Sequence, residues 1–285
     1  MKILITGSSG MLGQELAREF RENNYEVLAW DKDELDITDR EMVLNKIKKI
    51  KPEIIINSAA YNAVDKIEES EEDKKIANKI NGLAVGYLAE VAKDIEAIFV
   101  HYSTDYVFGG RKVGGYKETD KPNPQSEYAK SKLLGEEELL KQQGLRFYLI
   151  RTSRLFGKPA VSEGAKKSFV DVMLQLAETK DNLDLIDEEL SSPTYVCDLA
   201  RRTREIIEEK KSYGIYHITN FGACTWYGWA KEIFKIVGKN IKLTPVSGDK
   251  FPRPAKRPRY SVLLNTKLPE IRKWEEALGE YLRTK

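Results

Sequence analysis
The sequence predicts an α/β fold, a Rossmann-type doubly wound parallel sheet with a smaller C-terminal α/β domain. Three observations carry this. Over the first 150 residues short apolar runs alternate with helix-length amphipathic stretches. The glycine-rich run 6-TGSSGMLG-13 joins the first strand to the first helix. Beyond residue 151 the spacing loosens and the loops gain Gly, Pro and Ser. Parallel neighbours need a crossover connection, normally a helix, so alternation of the two element types implies a parallel sheet with helices on both faces.

In order, the predicted strands are 2-KILIT-6, 26-EVLAW-30, 53-EIIINSA-59, 97-AIFVHYS-103 and 145-LRFYLIR-151. Their apolar runs lack strict alternation, as expected of strands covered on both sides. Helical periodicity falls between them, near 11 to 23, 39 to 50, 73 to 94 and 126 to 143. A later pair, strand 183-LDLID-187 and a helix over about 194 to 209, is expected to return to this sheet. The dinucleotide-binding domain is therefore assigned 1–151 with 183–209. A substrate domain takes 152–182 and 210–285, with 215-IYHIT-219, a helix near 225 to 238, 241-IKLTP-245 and a last helix near 267 to 283. Its loops 157-GKPAVSEGAKKS-168 and 189-ELSSPT-194 are expected to face substrate.

Composition narrows the function classes. The chain of 285 residues, 41% hydrophobic and 32% charged, is long enough to bury a substantial core. No stretch approaches the roughly 20 apolar residues that span a bilayer, and the N-terminus opens directly on a strand pattern without a signal-peptide cleavage site, so a soluble, cytoplasmic protein is expected. Cys197 and Cys224 form neither a CxxC pair nor a Cys/His cluster, which argues against a disulfide framework and a structural metal. A net charge of +2 disfavours nucleic acid as the main partner. The local exception, 249-DKFPRPAKRPRY-260, lacks the interleaved aromatic platform of a single-strand binder.

Gly7, Gly10 and Gly13 stand at G-x-x-G-x-x-G spacing between the first strand and the first helix. In that context Gly7 permits a tight turn, Gly10 a close approach of backbone to a pyrophosphate and Gly13 close packing of helix on strand, with the helix N-terminus facing the anion. Strand two ends at Asp31-Lys32. Asp31 can accept hydrogen bonds from an adenosine ribose, whereas Lys32 can neutralise a 2′-phosphate. The carboxylate repels such a phosphate, so NADH is slightly favoured over NADPH, with dual use open. Asp36-Ile37 is a candidate adenine contact, and Asn57 to Tyr61 end strand three, where open α/β sheets bind ligands.

Tyr128 and Lys132 are four residues apart on a predicted helix and share one face. A phenol is a weak acid near neutrality; a neighbouring cation is expected to lower its pKa towards the working range, and the same ammonium can hold the nicotinamide ribose. Tyr128 then protonates the oxygen of a carbonyl reduced by hydride. A second hydroxyl is wanted at that oxygen. Ser103 and Thr104 are both available at the end of strand four, and alternation favours Thr104.

These residues resemble those of the extended short-chain dehydrogenases/reductases, and most of all the dTDP-4-dehydrorhamnose reductase family. The resemblance spans nearly the whole chain, through 58-SAAYNAVDKIE-68, 101-HYSTDYVF-108, 116-YKETDKPNPQSEYAKSKLLGEEELL-140, 151-RTSRLFG-157, 191-SSPTYVCDLA-200, 214-GIYHITNFGACTW-226 and 253-RPAKRPRYSVLLNTKL-268. It implies reduction of the C4 ketone of dTDP-4-dehydro-L-rhamnose. Tyr128 would be the proton donor, Lys132 its partner, Thr104 the substrate hydroxyl and Asp105 a sugar contact. Gly10-Met11-Leu12, Asp31, Asp36-Ile37, Ala59-Ala60-Tyr61 and Tyr102 match the family's cofactor contacts.

Two stretches depart from the family pattern. Arg154 stands where a Trp usually packs on the sugar, and 187-DEELSSPT-194 replaces Asp-Gln-x-Gly-x-Pro-Thr. Arg154 is expected to substitute a charged contact to a diphosphate or sugar hydroxyl. Arg253 and Arg257, with Lys256 and Arg259, are expected to pair with the nucleotide diphosphate. The departures leave open a reductase giving another 6-deoxyhexose. A non-catalytic NADP-binding regulatory subunit is a further alternative, and a monomer or homodimer is expected.

Overall fold
The computed structural model describes residues 1–161 and 166–285; the centre of the expected substrate-facing loop, 162–165, lies outside the described residues. The chain begins with β1 (Lys2–Thr6), α1 (Met11–Glu22), β2 (Glu26–Trp30), α2 (Arg40–Ile50) and β3 (Ile54–Asn57). Two short helices follow, α3 (Val64–Glu69) and α4 (Glu71–Ala77). A π-helical turn (Asn78–Leu83) leads into α5 (Ala84–Asp94), then β4 (Ile98–Thr104), α6 (Glu127–Leu140) and β5 (Phe147–Thr152). The second half carries β6 (Leu155–Phe156), α7 (Phe169–Leu176), β7 (Asn182–Ile186), β8 (Thr194–Tyr195), α8 (Val196–Glu208), β9 (Gly214–His217), α9 (Trp226–Ile236), β10 (Lys242–Val246) and α10 (Trp274–Arg283).

Six parallel strands in the order β2-β1-β3-β4-β5-β9 make the central sheet. Successive strand residues face opposite sides. Ile3, Ile5, Ile54 and Ile56 pack with Leu16 and Phe20 of α1 and Leu199 and Ile206 of α8. Leu4, Ile55 and Phe99 pack with Val43 and Ile47 of α2 and Leu88 and Val91 of α5. Chain direction across the sheet reverses between β1 and β3, which opens the ligand crevice at their C-terminal ends. A separate core of Phe156, Met173, Leu183, Leu185, Trp229, Phe234, Trp274 and Tyr281 holds the smaller lobe.

The expected return of 183–187 to the central sheet does not occur: β7 pairs with β10 in a two-stranded sheet of the smaller lobe. The helix of that pair does return, with α8 lying against α1 on the sheet. A parallel neighbour of β5 must follow the crossover helix that packs on the sheet. The strand after α8, which is β9 from the segment assigned to the smaller domain, therefore takes the sixth place. The predicted 73 to 94 helix is broken by the π-helical turn, and the last helix starts at Trp274 rather than near 267. Among the described residues no helix is long and apolar enough to cross a membrane.

Candidate active site
Steric demand shapes the glycine loop. Gly7 has φ +70°, and a Cβ there would fall 2.6 Å from the Ala59 backbone nitrogen at the tip of β3. A Cβ on Gly13 would fall 2.1 Å from the Gly7 carbonyl oxygen, so α1 is seated directly on the loop. Gly10 begins α1 without a side-chain cap, and the first turn holds no acidic residue. Side chains of Asp39, Ser126, Ser168 and Thr225 cap α2, α6, α7 and α9, whereas α1, like α3, α8 and α10, has no such cap. An uncapped helix start over a loop with no room for side chains fits a dinucleotide pyrophosphate, and Gly10, Met11 and Leu12 can meet it through their amides.

Asp31 accepts the Ser9 amide at 2.9 Å and the Ser9 hydroxyl. Partial burial pushes its pKa up, but the Ser9 bonds outweigh this and hold it below the ordinary carboxylate range. Ionised Asp31 thus ties β2 to the glycine loop, while Lys32 is exposed. Asp36 turns back to accept the Thr38 amide at 2.9 Å and hydroxyl at 2.7 Å, and Ile37 packs into the core beside Val43. The preceding residues of the 157–168 loop close on the glycine loop, where the Val161 amide donates to the Ser9 carbonyl at 3.0 Å.

A buried relay connects the 57–61 loop to α6. Asn81, in the π-helical turn, accepts the Tyr61 amide at 2.8 Å and donates to the Tyr61 carbonyl at 2.8 Å and to Ser131 Oγ at 2.9 Å. Ser131 Oγ donates to the Tyr128 carbonyl at 2.7 Å. Ala59 and Ala60 lie on this loop, Ala60 exposed. Sequence reasoning missed Asn81 and Ser131. The signal available was the turn dipeptide Asn81-Gly82 inside a helical run; Leu134 packs over Gly82, where a Cβ would fall 2.5 Å from Leu134 Cδ2 and displace it.

Thr104 and Tyr128 meet at the ends of β4 and α6. Thr104 Oγ1 accepts the Tyr106 amide at 3.2 Å and donates to Asp105 at 3.1 Å, and it lies close enough to the Tyr128 phenol to influence its ionisation. Ser103 turns the other way, donating to Glu136 at 2.5 Å in a buried cluster that includes the Arg151–Glu136 ion pair at 2.6 Å. Tyr106 packs edge-on against Tyr128, centroids 6.0 Å apart.

Lys132 does not lower the Tyr128 pKa as expected. Burial, aided by the Asp105 charge, raises it, and the nearby Thr104 hydroxyl opposes this. Lys132 is itself buried and donates to the Tyr102 carbonyl at 2.7 Å. Burial pulls its pKa down to about 8 against the opposing pull of Glu136. Tyr102 is buried, with its hydroxyl 2.7 Å from Thr203 Oγ1, and its carbonyl accepts the Lys132 ammonium. A neutral phenol is nevertheless the protonation state a proton donor requires.

The substrate-side residues are already paired. Asp105 is 2% exposed and accepts Ser191 Oγ at 2.9 Å and Ser261 Oγ at 2.6 Å, so its carboxylate is held by two serines from distant segments. Burial raises its pKa, and its serine partners and Arg154 oppose this. Arg154, φ +45°, donates to the Cys224 and Glu189 carbonyls at 2.7 Å each and lies 4.0 Å over Trp226, so its fork is spent on backbone. Glu188 accepts the Gly248 amide at 3.1 Å. Arg253 pairs with Glu189, and Arg257 pairs bidentately with Asp65.

A family model for the RmlD substrate binding domain matches residues 1–285. The chain belongs to the RmlD substrate-binding domain family. Within it, the chain is 39% identical to a dTDP-4-dehydrorhamnose reductase of Aggregatibacter actinomycetemcomitans, over 97% of this chain and 97% of the relative. The crystal structure of a dTDP-4-dehydrorhamnose reductase from Clostridium acetobutylicum superposes with a TM-score of 0.93 at 40% identity, covering 100% of this chain and 99% of that one. That of a Bacillus anthracis dTDP-4-dehydrorhamnose reductase in complex with NADP gives 0.92 at 32% identity over 100% and 99%. The parallel central sheet with flanking helices is therefore shared with these reductase structures, and the fit of the glycine loop to a nicotinamide dinucleotide agrees with membership.

Proposed function
We propose that this chain reduces the C4 ketone of a dTDP-linked 6-deoxy sugar, converting dTDP-4-dehydro-L-rhamnose to dTDP-L-rhamnose. The observation that carries this reading is the meeting of Thr104 with a neutral Tyr128 at the strand ends, beside buried Lys132 and the dinucleotide loop. A reduced nicotinamide, when bound, supplies the hydride. Tyr128 holds the proton that the developing alkoxide takes, and Thr104 orients and polarises the carbonyl oxygen with a second hydrogen bond. Lys132 would supply positive charge and a hydrogen bond to the nicotinamide ribose, and Asn81 and Ser131 keep the Tyr61 backbone and Tyr128 in register. Gly10, Met11, Leu12 and Ala59 to Tyr61 hold the dinucleotide.

Both NADH and NADPH serve in this reading. Ionised Asp31 favours a free ribose hydroxyl, but it is turned to Ser9, and exposed Lys32 can meet a 2′-phosphate. The retained proton-donor constellation favours catalysis over a regulatory subunit.

Purified chain mixed with NADPH or NADH and dTDP-4-dehydro-L-rhamnose is expected to oxidise the cofactor, with the product identified by NMR. No cofactor oxidation with 4-keto sugar nucleotides would overturn the proposal.

A further inference from the structure
The two arginines of the 253–260 segment are paired with very different carboxylates. Glu189, the partner of Arg253, is buried and also accepts the Trp226 indole N–H at 2.8 Å, while Arg154 binds its backbone carbonyl. It is a fixed part of the smaller lobe. Asp65, the partner of Arg257, is 39% exposed, and its other hydrogen bond among the described residues is a 3.3 Å contact from the Ala255 amide. Asp65 opens α3 directly after the cofactor-side loop that ends near Tyr61, whereas Arg257 comes from the far end of the chain. The pair therefore bridges the two sides of the cleft.

Arg257 is in the right neighbourhood for a ligand. Its side chain is only 8% exposed, and its charge acts on Tyr106, whose ring packs on Tyr128. Lys166 is close enough to be repelled by Arg257 and attracted by Asp65, although burial is the main reason its pKa is lowered. Two cations so placed need an anion between them. A carboxylate and a phosphate offer a guanidinium the same bidentate geometry, and a diphosphate brings more charge.

We propose that Asp65 is a resident stand-in for the diphosphate of a nucleoside diphosphate ligand: Arg257 exchanges the Asp65 carboxylate for a phosphate oxygen pair when the nucleotide enters, and Asp65 is released to solvent. This rests on the sugar-nucleotide reading above. Asp65 keeps Arg257 extended across the cleft in the free protein and competes with the ligand for it.

The exchange is tested by calorimetric titration of dTDP alone into NADPH-saturated protein. Asp65→Asn is expected to bind dTDP more tightly, roughly threefold, the scale of losing one partly exposed ion-pair competitor. Arg257→Gln is expected to weaken binding about tenfold or more, and in the double variant the gain from Asp65→Asn should vanish. Asp65→Ser must move affinity in the same direction as Asp65→Asn, and an unchanged NADPH affinity confirms that each variant is folded. If Asp65→Asn leaves dTDP affinity unchanged or weakens it, the exchange is overturned and Asp65 merely orients Arg257. If the wild-type chain binds NADPH but not dTDP, the sugar-nucleotide reading falls, and the exchange with it.

Discussion

On the cofactor side of the cleft the backbone does the positioning. Gly7 and Gly13 leave no space for a Cβ, α1 presents an uncapped start, and Asn81 grips the amide and carbonyl of Tyr61. On the substrate side, side chains from distant segments hold one another: Asp105 with Ser191 and Ser261, Arg154 with the carbonyls of Glu189 and Cys224, Arg253 with Glu189, and Arg257 with Asp65. The difference teaches how each side can fail. A backbone-built site is broken by adding one carbon where none fits. A site built from paired charges is broken by leaving one partner buried and alone.

The contrast can be tested in descending order of effect. Tyr128→Phe belongs to neither construction and should remove the proton donor alone. Turnover is expected to fall about a thousandfold, with NADPH affinity by fluorescence titration unchanged; turnover above a tenth of wild type would refute the role. Gly13→Ala should strike the backbone-built side, costing about 3 kcal/mol in chemical denaturation and abolishing NADPH binding. Retained NADPH affinity would show that the loop can move aside.

Arg154→Ala should strike the other side, leaving the Glu189 carbonyl without its guanidinium donor and the Cys224 carbonyl with only the Ser191 amide at 3.3 Å, at a cost of about 2 kcal/mol. It is expected to raise KM for the sugar nucleotide while the NADPH dissociation constant stays put, and a change in cofactor affinity would dissolve the distinction between the two sides.

The mildest effect should come from pH. Lys132 carries its charge below about 8 and loses it above, so kcat/KM is expected to fall as pH rises through about 8. Stability of the cofactor-free chain has the opposite sign. Between about 8 and the ordinary lysine value the unfolded chain binds more protons than the folded one, so the Lys132 contribution to stability rises with pH in that window. A pH profile for kcat/KM that stays flat well above 8 would contradict the depressed lysine.

Much of the cofactor side could be read from the residues because its causes are local. Apolar runs such as Ile3-Leu4-Ile5 and Ile54-Ile55-Ile56 mark strands buried on both faces, and the glycine spacing acts within one turn. The i to i+4 spacing of Tyr128 and Lys132 lies on one helix and is equally local. The Tyr128 pKa departs from expectation because burial dominates it, and burial is not a property of a four-residue spacing. The choice of β9 over β7 for the sheet depends on where α8 packs, which no short run encodes. Arg257 reads as a free cation until the fold brings Asp65 to it from 192 residues away.

The Asp105 network also sets an order of events during synthesis. Ser261 is 156 residues downstream of the carboxylate it serves, and α10, which helps close the smaller core, comes later still. A ribosome can therefore deliver the glycine loop, Thr104, Tyr128 and Lys132 long before Asp105 has both of its serine donors. Nascent or C-terminally clipped molecules would hold an unfinished carboxylate network beside Thr104, so chain completion itself separates possessing the catalytic residues from having a working site.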